Sequence, residues 1–91
     1  MTISIIKQNE DVFTVKVTND VSTSHTVTVT DQSLAELTNN NVTKTQLLQF
    51  SFDFLLQREP NTSILSSFDI NVISRYFSDY RDEVRLWCNE S

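Results

Sequence analysis

The chain has 91 residues, a length for one domain, and folding at this size buries roughly 60–65% of the unfolded surface. Hydrophobic residues make up 38%, aromatic residues 10% and charged residues 21%, which excludes a disordered chain, and no apolar run approaches the ~20 residues of a membrane helix. The net charge of −5, without any cluster of three basic residues, argues against direct binding to DNA or RNA backbones, which gains from massed Lys and Arg.

The N-terminal third carries apolar residues at every second position, the period of a strand with one buried face. Thr2 to Lys7 reads as a first strand. Asp11 to Thr18 reads as a second, with Phe13, Val15 and Val17 inward. Ser24 to Thr30 reads as a third, with Val27 and Val29 inward and Thr26, Thr28 and Thr30 outward. Links this short favour antiparallel neighbours, so the expectation is a three-stranded meander with strands one and three as its edges. The outward threonines suit a solvated strand face, where high β propensity and a hydroxyl met by water explain them.

Near Asp31 the period changes to three and four, the spacing of a helix. Asp31 to Leu37 is a short helix capped by Asp31 or Ser33, and Asn39-Asn40-Asn41 ends it. Thr43 opens the main helix, with Gln46 three residues on completing a capping-box pattern. Pro60 sets its end near Arg58 or Glu59, because the residue before proline avoids helical ψ. After it, Asn61 or Thr62 can cap a short turn, and Phe68, Ile70, Ile73 and Phe77 continue at helical spacing. Ser78 caps a last helix in which Tyr80, Val84 and Trp87 share a face. The expected fold is α+β: residues 1–91 as one domain, with a β-meander over 1–30 and a helical cover of three to four helices over 31–91.

The chain contains no glycine. A P-loop, a dinucleotide fingerprint, a nucleophile elbow and a standard EF-hand loop all place Gly where φ is positive or a ligand meets backbone. None can be built here in its usual form. The turns fall instead to Asn and Asp, which tolerate the left-handed region.

The main helix is unusually apolar. Leu47, Leu48, Phe50, Phe52, Phe54, Leu55 and Leu56 occupy more than half its circumference, and Gln46, Gln49, Asp53 and Gln57 form one narrow polar stripe. A surface helix shows a single apolar stripe of about 100°. This one needs cover on two sides, either wholly within the chain or partly from a subunit or partner.

Single residues offer little chemistry. His25 is the only histidine and Cys88 the only cysteine, so neither a metal site nor an internal disulfide is indicated. A Cys–His pair has no oxyanion or third-group signal to support it. No catalytic, metal or cofactor-binding residue is assigned. The corner Arg58-Glu59-Pro60-Asn61-Thr62-Ser63 concentrates hydrogen-bonding groups between two apolar segments, as a helix–helix corner or a recognition loop.

Phe54-Leu55-Leu56-Gln57-Arg58-Glu59-Pro60-Asn61-Thr62-Ser63-Ile64-Leu65, followed by Phe68-Asp69 and Ile73-Ser74-Arg75-Tyr76-Phe77, resembles a family of short uncharacterised bacterial proteins. The resemblance spans roughly Thr26 to Tyr80. It implies a small bacterial α+β domain and carries over no activity and no functional residue.

The leading functional expectation is a non-enzymatic protein-interaction or regulatory module. It would be cytoplasmic, since the N-terminus shows no basic segment followed by a long apolar run. Its contacts would be Phe50, Phe54, Arg58, Glu59 and Asn61, and its partner a protein, whether a second copy or another chain, rather than nucleic acid or membrane. The alternative is a small-ligand or enzymatic domain with a pocket between sheet and helices near Arg58, Asp69, Arg75 and Tyr76. A third reading is regulation of a nucleic-acid-binding partner through the acidic surface.

Overall fold

A computed structural model describes residues 2–89; positions 1, 90 and 91 of the expected domain lie outside them. The elements in order are β1 (Thr2–Lys7), β2 (Val12–Thr18), β3 (Ser22–Thr28), α1 (Asp31–Thr38), α2 (Lys44–Leu56), β4 (Ser67–Asp69), α3 (Ile73–Tyr76) and α4 (Tyr80–Asn89). Single 3-10 turns cover Asn61–Ser63 and Ile70–Val72. The chain is α+β, with helices on one face of the sheet and solvent on the other.

The first three strands form the expected antiparallel meander, with Ile5 opposite Val15 and Phe13 opposite Val27. The sheet has four strands, however, in the order β1-β2-β3-β4. β4 runs parallel to β3, with Phe68 opposite Val27. The edges are therefore β1 and β4, not β1 and β3. The segment around Phe68 was expected to continue at helical spacing, and a three-residue strand is too short to show a period of its own. Parallel pairing needs a long crossover, and here α1 and α2 form it. β3 also begins and ends two residues earlier than expected, because Thr30 leaves the sheet to cap α1.

The period-two pattern is explained by burial. Phe13, Val15, Val17 and Val27 are buried in one core cluster with Leu47, Leu48 and Phe52 of α2, while Ser4, Lys16, Thr18 and Thr26 stand exposed on the other face. Burial of each such apolar side chain contributes about 1.5–3 kcal/mol. The wide apolar arc of α2 is covered by the sheet on one side and by α4 on the other.

Local signals set the helix ends. The Thr30 hydroxyl accepts the Ser33 N–H at 3.1 Å, so Thr30 caps α1 rather than Asp31 or Ser33. Asn39 and Asn40 take φ of 55° and 60°, which a glycine-free chain entrusts to the residue type that best tolerates it. Thr43 and Gln46 form both bonds of the capping box, at 3.1 and 2.9 Å. α2 ends at Leu56, before the expected Arg58 or Glu59, and the chain unwinds through turn bonds to the Leu55 carbonyl. At α4 the Asp79 carbonyl accepts the Glu83 N–H at 3.0 Å. That makes Asp79, not Ser78, the residue at the cap position.

Two sets of polar contacts join the layers, one buried and one at the surface. The Ser51 hydroxyl donates to the Leu47 carbonyl at 2.7 Å, so the Tyr80 hydroxyl, 2.6 Å away, is the donor to Ser51 Oγ. Lys44, on the first turn of α2, reaches Asp11 at 3.1 Å and Asp31 at 2.8 Å, tying α2 to the β1–β2 turn and to α1. The bond from Lys44 holds the Asp31 carboxyl below its ordinary range, and the bond to Asp31 raises Lys44.

Candidate functional site

The five residues expected to make a contact surface separate into three places. α2 presents Phe50 and Phe54 one turn apart, with ring centroids at 6.5 Å. Phe50 is half-buried and stacks on Trp87 of α4 at 4.5 Å and 16°. Phe54 lies beneath, only 4% exposed, with Tyr80 and Phe77 edge-on at 5.3 and 5.8 Å. It is a core residue. Arg58 covers it: the guanidinium carbon sits 3.6 Å above the Phe54 ring. Arg58 also donates to the Phe54 carbonyl at 3.1 Å and to Asp79 Oδ2 at 2.8 Å.

These groups border an open hollow of about 500 Å³ between α2 and α4, together with Asp53, Gln57 and Glu83. Its free charge is negative. Arg58 is engaged by Asp79, whereas Asp53 and Glu83 have no ion pair among the described residues. Asp53 only accepts long bonds from the neutral Gln49 amide, at 3.3 and 3.4 Å.

Asn61 points the other way and is 4% exposed. Its Nδ2 donates to the Val21 carbonyl at 2.7 Å and to Thr23 Oγ1 at 3.0 Å. The relay continues into the sheet, with Thr23 Oγ1 2.8 Å from His25 Nε2 and His25 Nδ1 2.7 Å from the Leu65 carbonyl. A carbonyl can only accept, so His25 Nδ1 carries a proton and donates to Leu65. Both ring nitrogens thus have a partner, and Phe52 packs against the ring at 5.4 Å. Asn61 and His25 thereby fasten the Asn61–Leu65 segment to β3.

Glu59 occupies a third place, in the lining of a cleft of about 330 Å³ between the end of α2, β4 and α3. Buried Leu55, Ile64 and Ile73 contribute to it, and exposed Leu65 and Tyr76 stand at its border. Of the residues expected around a pocket, Tyr76 alone lines this cleft. Arg58 faces the other hollow. The Asp69 carboxylate accepts the Asn71 N–H at 2.9 Å, capping the 3-10 turn, and Arg75 is exposed on α3.

His25 and Cys88 are each 2% exposed and line neither cavity. Among the described residues no group of three or more His, Cys, Asp or Glu could hold a metal ion, and no helix is long and apolar enough to cross a membrane. Sequence reasoning did not assign Trp87, Asp53 and Glu83 to the Phe50 surface. The i, i+4, i+7 face of α4 marked Trp87 as packed, but nothing local says against what. Comparison of the chain with protein-family models, curated proteins and solved structures finds no match.

Proposed function

We propose that the chain is a non-enzymatic protein-interaction module that docks a basic segment of a partner protein in the hollow between α2 and α4. One observation carries this reading: a stacked Phe50–Trp87 pair borders an open hollow whose unengaged charges are Asp53 and Glu83. Aromatic and Arg residues dominate the energetics of protein interfaces, with charged groups at the rim. Aromatic faces beside carboxylates attract Lys and Arg through both the ring quadrupole and simple Coulomb attraction.

A second copy of the chain is the poorer occupant. A two-fold contact through this face would set Asp53 and Glu83 near their own counterparts, and like charges across an interface are costly. The partner is therefore a different, basic chain.

Trp87 is the only tryptophan, so its fluorescence reports directly on the hollow. Titration with an eight-residue Lys/Arg peptide shifts the emission, and the shift weakens with added salt; the matching Glu peptide leaves it unchanged. Reversing both carboxylates, Asp53→Lys with Glu83→Lys, weakens basic-peptide binding about tenfold, as expected for two rim charges of up to about 1 kcal/mol each. Equal responses to both peptides, or affinity untouched by the reversal, defeat the proposal.

A further inference from the structure

We propose that the cleft between α2, β4 and α3 binds a small amphiphilic amine, an aromatic or branched aliphatic body carrying one cationic nitrogen. The site is separate from the α2–α4 hollow and stands without it.

The first observation is shape. The cleft measures about 330 Å³, within the range of small-molecule pockets of about 300–1,000 Å³. Leu55, Ile64 and Ile73 are buried residues of its lining, and Phe68 and Phe77 are half-buried ones. Two of the five large apolar side chains exposed among the described residues, Leu65 at 46% and Tyr76 at 69%, border this one cleft. Scattered exposed apolar residues need no explanation, but exposed ones gathered around a concavity mark a binding surface.

The second observation is that the wall is held in place. Leu65 lies on an irregular segment that would otherwise be mobile. The His25 ring fixes its carbonyl at 2.7 Å, and Asn61 anchors the start of the same segment to Val21 and Thr23. A wall fixed before binding lowers the ordering cost that a ligand must overcome.

The third observation selects the charge. The lining holds one ionisable carboxylate, that of half-buried Glu59, and it has neither a hydrogen bond nor an ion pair among the described residues. Next to apolar walls, Coulomb attraction is stronger than in open water. A cationic nitrogen placed on Glu59 gains that attraction, a neutral head leaves the carboxylate without a partner, and an anion is repelled. The lining offers no cation to reward a ligand of the opposite sign.

The test is a backbone-amide NMR titration with three probes of one shape: 2-phenylethylamine, 2-phenylethanol and 3-phenylpropanoate. Saturable shifts are expected at residues 59–77, with the amine binding about threefold or more tighter than the alcohol and the acid weakest, as a partly exposed ion pair implies. Glu59→Gln is expected to erase the preference for the amine while the alcohol still binds, which separates lost charge from lost fold. Non-saturating or scattered shifts, equal binding of amine and alcohol, or a preference that survives Glu59→Gln overturns the proposal. A leucyl-lysine amide that outcompetes the amine also overturns it, in favour of a protein segment as the occupant.

Discussion

The two concavities flank one helix and are built in opposite ways. The hollow beside Phe50 lies between α2 and α4, two regular helices, and its character comes from side chains at helical spacing: aromatic rings at its floor, carboxylates at its rim. The cleft beside Leu55 takes its far wall from a 3-10 turn, a three-residue strand and a four-residue helix. Those short pieces cannot hold themselves, since helices of this length are unstable alone. Buried polar groups hold them instead. The side chains of the hollow are thus spaced by the periodicity of two helices, whereas the far wall of the cleft is tied by bonds that reach across the chain.

The sharpest way to break the comparison is at Phe50 and Phe54. Phe54→Asp places a charge in the core and removes a ring packed on Phe77, Tyr80 and Arg58. Loss of a buried Phe alone costs about 3–5 kcal/mol, so urea titration followed by circular dichroism should show no cooperative transition. Phe50→Asp loses the Trp87 stack, about 0.5–1.5 kcal/mol beyond its area, and should keep the transition at a lower midpoint. If both variants unfold alike, the Phe50 surface is core and not a docking face.

Asn61→Ala addresses the other side. It removes the bonds to the Val21 carbonyl and to Thr23 Oγ1, at about 0.5–1.5 kcal/mol each. Amide hydrogen exchange should quicken through Ile64–Phe68 while Trp87 emission stays unchanged. Uniform loss of protection across the chain would mean that Asn61 supports the whole fold and not the cleft wall.

The smallest expected effect lies between the two, at Tyr80. Burial pushes its phenol above the ordinary value of 10.0. A folded-state value above the unfolded one stabilises the protein fully below about pH 10 and loses that stabilisation as pH rises beyond it. Lys44, also raised, loses its contribution in the same direction, above its ordinary 10.5. Tyr80→Phe should cost about 0.5–1.5 kcal/mol at pH 7, since Ser51 still donates to Leu47. The gap to the parent protein should narrow above pH 10. A constant gap up to pH 11 would mean that Tyr80 ionises freely in the folded state.

Much of the fold was legible. Alternation at Phe13, Val15 and Val17 declared the sheet, Thr43 with Gln46 declared the start of α2, and the Asn39–Asn41 run declared the turn. The over-apolar α2 rightly demanded cover on two sides. The misread ends have physical causes. Thr30 looks like the next outward threonine of a strand until its hydroxyl finds the Ser33 N–H. Phe68, Ile70 and Ile73 fit a helical spacing by coincidence, because each is placed by a different short element. The Arg58–Asn61 corner was legible as polar, but its residues turn in three directions, and only the surroundings decide which.

The sequence by itself determined the class, the two periods and the caps, because those follow from the repeat of the backbone and from groups within four residues of one another. Only the tertiary structure decided that Phe50 meets Trp87, that Phe54 is core, that a fourth strand joins β3, and that Asn61 and His25 tie the Asn61–Leu65 segment to the sheet. Those contacts join segments far apart in the chain. Their partners are set by where the hydrophobic layers close, which no local spacing records.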